Sequence, residues 1–135
     1  MGGFVTQQIV NDIANKNKIN IIDFPFESFK ACSVESGNNY YIGINEKLFQ
    51  TEAQRNTAKA HELGHCMTGA LYCEYAPLFT QEKCEYKATR WAIRKFVPKE
   101  KLISYFKEGY QMWEIAEEME LTEEFLWQAY YHYFR

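Results

Sequence analysis

Residues 51–67 constrain this chain more than any other segment. Thr51 and Gln54 have the spacing of a helix capping box, and between Gln54 and Met67 the chain has one glycine and no proline. A helix that starts near Glu52 therefore carries His61-Glu62-Leu63-Gly64-His65. A four-residue separation puts the imidazoles of His61 and His65 on one face of it. Two ring nitrogens so placed can meet one metal ion at the ~2.0–2.1 Å that zinc favours. Glu62, one residue on, can reach a water in the ion's open position without itself binding the metal. Zinc lowers the pKa of such a water to about 7, and a carboxylate can then take its proton and pass it to a leaving amine. The chain has three histidines, and two of them sit in this motif. Gly64 costs ~1 kcal/mol relative to alanine within a helix. It predicts close approach by a neighbouring backbone or by a substrate strand.

An open catalytic zinc site needs a third protein ligand. Glu85 is the choice: Ala88 and Ala92 come after it at i+3 and i+7, a small-residue face that lets one helix pack tightly on another. Thr89, at i+4, can supply a hydrogen bond to a ligand from behind. Spacing alone leaves Glu74, Glu82 and Cys84 as competitors. Cys73 and Cys84 could instead close a structural site with the two histidines, although their spacing is not that of a zinc finger.

Around this helix the pattern predicts an α+β fold. Val5, Ile9, Val10 and Ile13 have helical spacing, with Thr6 as cap, and the polar stretch 15–20 closes that helix. Three β-prone runs come next, at 19–24, 29–34 and 40–44, the last two separated by a hairpin loop at 35–39. They predict a small antiparallel sheet. Beyond Gly69 and Pro77, Thr80 can cap a helix that ends before Pro98. Pro98 suits the first turn of the next helix, which stops at Gly109. Met112 to Met119 forms a short helix, and Thr122 caps the last one, with Leu121 able to staple onto Leu126. No repeat or linker divides the 135 residues. One domain is expected over 1–135, a catalytic core at 1–108 with a helical tail at 109–135 packed on it.

Composition narrows the setting. Hydrophobic residues make up 47% and charged residues 24%, enough apolar surface for a real core. No apolar run approaches the ~18 residues of a membrane span. The N-terminus has no basic and apolar signal-peptide regions. Gly2 and Thr6 do fit a myristoylation pattern, but one acyl chain without a basic patch anchors poorly. Cys32, Cys66, Cys73 and Cys84 form no CxxC pair and read as reduced thiols, so the cytoplasm is the expected compartment.

Three segments together resemble the ImmA/IrrE metallo-endopeptidases. They are Tyr41-Ile42-Gly43-Ile44-Asn45 leading to Arg55-Asn56-Thr57-Ala58-Lys59-Ala60 and the His motif, then Glu85-Tyr86-Lys87-Ala88-Thr89-Arg90-Trp91-Ala92, then Val97-Pro98. The resemblance implies a zincin-like, gluzincin-type site with Glu85 as third zinc ligand beside His61 and His65, and Glu62 as general base. Lys87 and Thr89 depart from the residues common at their positions. The resemblance also implies a cytoplasmic, phage- or mobile-element-linked antirepressor that cleaves a helix-turn-helix repressor. The alternative is a binding protein that keeps the metal-site fold and sequesters the repressor uncut.

The tail bears on partners. Seven glutamates occur from Glu108 to Glu124, and no Lys or Arg reappears before Arg135. That surface would repel phosphates, and with a net charge of −3 no direct nucleic-acid binding is expected. Trp113, Ile115, Met119, Phe125, Leu126 and Tyr130 are expected in the core. Trp127, Tyr131, Tyr133 and Phe134 are candidates for a protein-docking surface. Tyr72, Tyr75 and His132 are candidates to polarise a scissile carbonyl, with nothing in the spacing to choose among them. A substrate could extend along an exposed strand near Tyr40 to Asn45.

Overall fold

The computed structural model describes residues 2–73 and 75–135, with side chains from Thr6 onward in those ranges. Among the described residues the order is α1 (Gly2–Lys16), β1 (Ile19–Asp23), β2 (Ala31–Ser36), β3 (Asn39–Ile44), α2 (Glu52–Thr68), α3 (Leu78–Phe96), α4 (Lys99–Lys107), α5 (Met112–Met119) and α6 (Glu123–Phe134). The fold is α+β, as the periodicities predict. The Val5 side chain, counted in the first apolar pattern, lies outside the described residues.

The sheet is mixed, in the order β1-β3-β2. β2 and β3 form the expected antiparallel hairpin, with Ser36 opposite Asn39. Gly37, at φ +65°, takes the first central position of its two-residue turn, the position that asks for glycine in a type II′ turn. β1, by contrast, runs parallel to β3. The connection at 24–30 carries the chain past β3 to its far edge, so β1 and β2 flank the same strand. Phe26 on that connection covers the outer face of β3. A Cβ on Gly43 would lie 2.6 Å from the Phe26 ring, so glycine makes room for it. Central placement also buries Ile42 and Ile44 completely. The strand expected to be exposed at 40–45 is therefore the inner one, and β2 supplies an edge instead.

Helix starts differ in two places. Thr6 is inside α1 and only 3% exposed, packed as a core residue rather than capping. α3 begins at Leu78 behind Pro77, which places Thr80 in its first turn. Proline's fixed φ suits the entry to a helix, so it sets the boundary ahead of the threonine. Thr51 does cap α2, accepting from the Gln54 backbone N–H at 3.1 Å. The Gln54 side chain closes the other half one residue early, on the N–H of Gln50 at 2.7 Å.

One apolar cluster joins Val10 of α1, Ile42 of β3, Leu63 of α2, Phe96 of α3, Leu102 of α4, Ile115 of α5 and Leu126 of α6. Leu121 is buried in it with Leu126, as a staple requires. Two polar ties hold the tail to α2. Asn56, 2% exposed, donates to the Glu120 carbonyl at 3.0 Å, and the Thr122 N–H donates to Thr57 Oγ1 at 3.0 Å. Thr122 in turn caps α6 through the Phe125 N–H. Of the tail residues expected in the core, Trp113 is 56% exposed instead, because its side of α5 faces away from the cluster. No helix among the described residues is long and apolar enough to cross a membrane.

Candidate metal centre and its cleft

α2 and α3 meet at Gly64. A Cβ there would lie 2.3 Å from the Ala88 carbonyl oxygen, so the close approach is by the backbone of the neighbouring helix. Ala88 and Ala92 are fully buried on the facing side. With so little side chain between the two helices, Glu85 comes level with the histidines. Its Oε1 is 2.6 Å from His61 Nε2, and its Oε2 is 3.2 Å from His65 Nε2. The two imidazoles stand edge to face with centroids 4.8 Å apart. Spacing along the chain left this third residue open; the packing brings Glu85 into the group.

The donor set fits a zinc ion. One ligand atom from each of His61, His65 and Glu85 lies within 4.8 Å of the other two. Bonds of ~2.0–2.1 Å in a tetrahedron set ligand atoms roughly 3.3 Å apart, so small side-chain shifts suffice. The far side of each ring is occupied as a metal-binding imidazole requires. His65 Nδ1 donates to the Ala70 carbonyl at 2.8 Å, which leaves Nε2 facing the site. His61 Nδ1 is 3.4 Å from Thr89 Oγ1, the contact from behind that the i+4 spacing predicted.

Charge is organised around Glu85. Hydrogen bonds from His61 and then His65 hold its carboxyl well below the usual carboxylate range, against the effect of burial, and Tyr72 adds to them. Burial opposes the charged form of His65, yet its bonds to Glu85 and Ala70 outweigh that and raise its pKa. Tyr72 donates from its hydroxyl to Glu85 Oε2 at 2.5 Å. That bond, then burial, pushes the phenol up to about 12, so it remains a neutral donor.

Glu62 does not join the ligand group. Ser33, on β2, donates to Glu62 Oε1 at 2.5 Å and lies 3.1 Å from its backbone carbonyl. Ser33 thus holds one of the two carboxylate oxygens. Nothing in the sequence singles out Ser33. Its place on a strand next to the helix is readable, but the pairing across 29 residues carries no local signal.

The competitors fall elsewhere. Cys73 is exposed, and Cys84 Sγ lies 4.0 Å from the Leu71 carbonyl. Among the described residues neither they nor Glu82 belong to the metal-holding group, and Glu74 lies outside those residues. Tyr75 is 87% exposed, and His132 packs against Tyr133 on α6. Of the three candidates for carbonyl polarisation, Tyr72 is the one beside the ligands.

Two depressions meet at the centre. One, of about 490 Å³, is walled by Phe29, Val34, Leu71 and Tyr72; the other, of about 680 Å³, by Lys30, Phe49, Gln54 and Gln128. Ala31, Glu62 and Glu85 line both. A groove therefore crosses the site beside β2, whose outer edge no strand covers among the described residues.

The profile of the IrrE N-terminal-like domain matches residues 14–129. No curated protein and no solved structure matches the chain.

Proposed function

We propose that this chain, which belongs to the IrrE N-terminal-like peptidase family, is a zinc-dependent endopeptidase acting on a protein. The observation that carries the reading is one cluster: two imidazoles and a carboxylate converge, with a second carboxylate beside them left free of the ligand set. A structural zinc site would be closed by a fourth protein ligand. Here His61, His65 and Glu85 leave one side turned to the groove, and neither Cys73 nor Cys84 completes the set.

Zinc held by these three residues would supply a Lewis acid for the scissile carbonyl and lower the pKa of water in its open position to about 7. The rest of the chemistry belongs to the chain. Glu62 accepts a proton from the attacking water on the oxygen that Ser33 leaves free, and delivers it to the leaving amine. Ser33 fixes the carboxylate's orientation. Tyr72 holds Glu85 and keeps a neutral hydroxyl donor at the mouth of the groove. Ala70 and Thr89 keep the histidine rings turned toward the metal.

The substrate proposed is a helix-turn-helix repressor of a phage or mobile element, met in the cytoplasm. A peptide segment in extended form can add to the free edge of β2, across which the groove runs. Trp127, Tyr131 and Phe134 on α6 stay 37–56% exposed and offer a docking surface of the kind protein partners use. The acidic run at 108–124 disfavours DNA on that side.

Incubating the zinc-loaded chain with the repressor encoded beside its gene tests the proposal. Two fragments should appear, with masses that sum to the intact repressor plus one water. An intact repressor held in a stable complex would overturn cleavage and leave the sequestering antirepressor.

A further inference from the structure

Half a turn around α3 from Glu85 lies a different kind of surface. Lys83, Lys87, Arg90 and Arg94 recur at i, i+4, i+7 and i+11, and Lys95 adjoins them. That spacing lays the cations in one stripe about 16 Å long. Lys87, Arg90, Arg94 and Lys95 line a groove of about 380 Å³, completed by the Trp91 ring and by Thr68 at the end of α2. Among the described residues no carboxylate lines it, and none of the five cations takes part in an ion pair. Arg90 lies over the Tyr86 ring, 5.4 Å from its centroid.

Like charges three and four residues apart on a helix repel one another. In a chain of net charge −3, five such cations on one face, with no acid among them, mark a field that a bound anion would relieve. His132 on α6 lies in the same field. Burial, then Arg94, Arg90 and Arg135, hold its pKa below the ordinary histidine value.

We propose that this groove binds the phosphate groups of a nucleotide, with the base or sugar against Trp91. Four cations around one small groove call for dense negative charge. A diphosphate concentrates several charges in that width, whereas the glutamates of a peptide carry one each along an extended chain. Guanidinium forks such as those of Arg90 and Arg94 match phosphate oxygens in pairs. The volume is within the range of small-molecule sites. The same chemistry is offered by a free nucleotide and by the backbone of a single strand. No residue of the groove belongs to the metal centre, so the groove is a site distinct from it.

Titration calorimetry on the zinc-loaded full chain at low salt tests it, with inorganic pyrophosphate, ADP, a ten-residue oligothymidylate and hexaglutamate as probes. Pyrophosphate and ADP should bind at least tenfold more tightly than hexaglutamate. A higher affinity for the oligothymidylate than for ADP would assign the phosphates to a strand; the reverse would assign them to a free nucleotide. Arg90→Gln with Arg94→Gln should weaken binding tenfold or more and flatten its salt dependence, with unfolding temperature and zinc content unchanged. Lys87→Gln with Lys95→Gln repeats the test should the first variant fold poorly. The absence of heat with every phosphate probe would overturn the proposal. Equal binding of hexaglutamate and ADP would also overturn it, as would binding that both variants leave intact.

Discussion

The two oxygens of Glu62 have different surroundings. Ser33 holds Oε1, and under the proposed function the other oxygen moves the proton. Hydrogen bonds to a charged group are worth about 1.5–3 kcal/mol. Ser33→Ala should therefore lower the cleavage rate roughly tenfold or more, with zinc content unchanged. Steady-state kinetics beside metal analysis checks this, and an unaltered rate would remove Ser33 from the machinery. Tyr72 would act on a bound metal through Glu85, to which its hydroxyl donates. Tyr72→Phe keeps the ring and loses the donor, so zinc affinity should fall about tenfold, as read in competition with a chelating dye. His61 and His65 are legible in the sequence because helical spacing alone puts them on one face, with Glu62 between them. Ser33 and the bond from Tyr72 to Glu85 are not, since a strand packed on α2 and a connection after it bring them in, and neither depends on local spacing.

Between elements, Gly64 is the position on which the site depends. Alanine there would gain ~1 kcal/mol of helix propensity. Its Cβ, however, would lie 2.3 Å from a main-chain oxygen of α3, which cannot rotate away. Overpacking of this kind costs about 1–3 kcal/mol. Gly64→Ala should push α3 outward, carry Glu85 off the histidines and weaken zinc binding more than it lowers stability. Zinc titration and thermal unfolding, measured together, check that order of effects; unchanged zinc affinity would contradict it. The helices themselves are readable to within a few residues from caps and prolines, as the agreement at 112–119 illustrates. The direction of β1 is not readable. Its alternation fits either pairing, and the choice is made by where the Phe26-bearing connection crosses the sheet.

At the scale of the molecule, the centre is formed by α2 and α3, with Ser33 of β2 holding the Glu62 carboxylate, while α5 and α6 are tied to α2 through Asn56 and Thr57. Metal bound only by the folded state stabilises it. At a free zinc concentration a hundredfold above Kd the gain is about 2.7 kcal/mol, or roughly 10 °C in Tm. Chelation should reverse that shift, and Glu85→Ala should abolish most of it. A Tm indifferent to zinc would argue against the site.

Glu62 as the base in a zinc-dependent cut is the central claim. The direct measurement is the rate of repressor cleavage by wild type and by Glu62→Gln at equal zinc occupancy, followed by intact mass. Loss of the general base should lower that rate by at least about a hundredfold while zinc binding persists. Equal rates from the two proteins would contradict it.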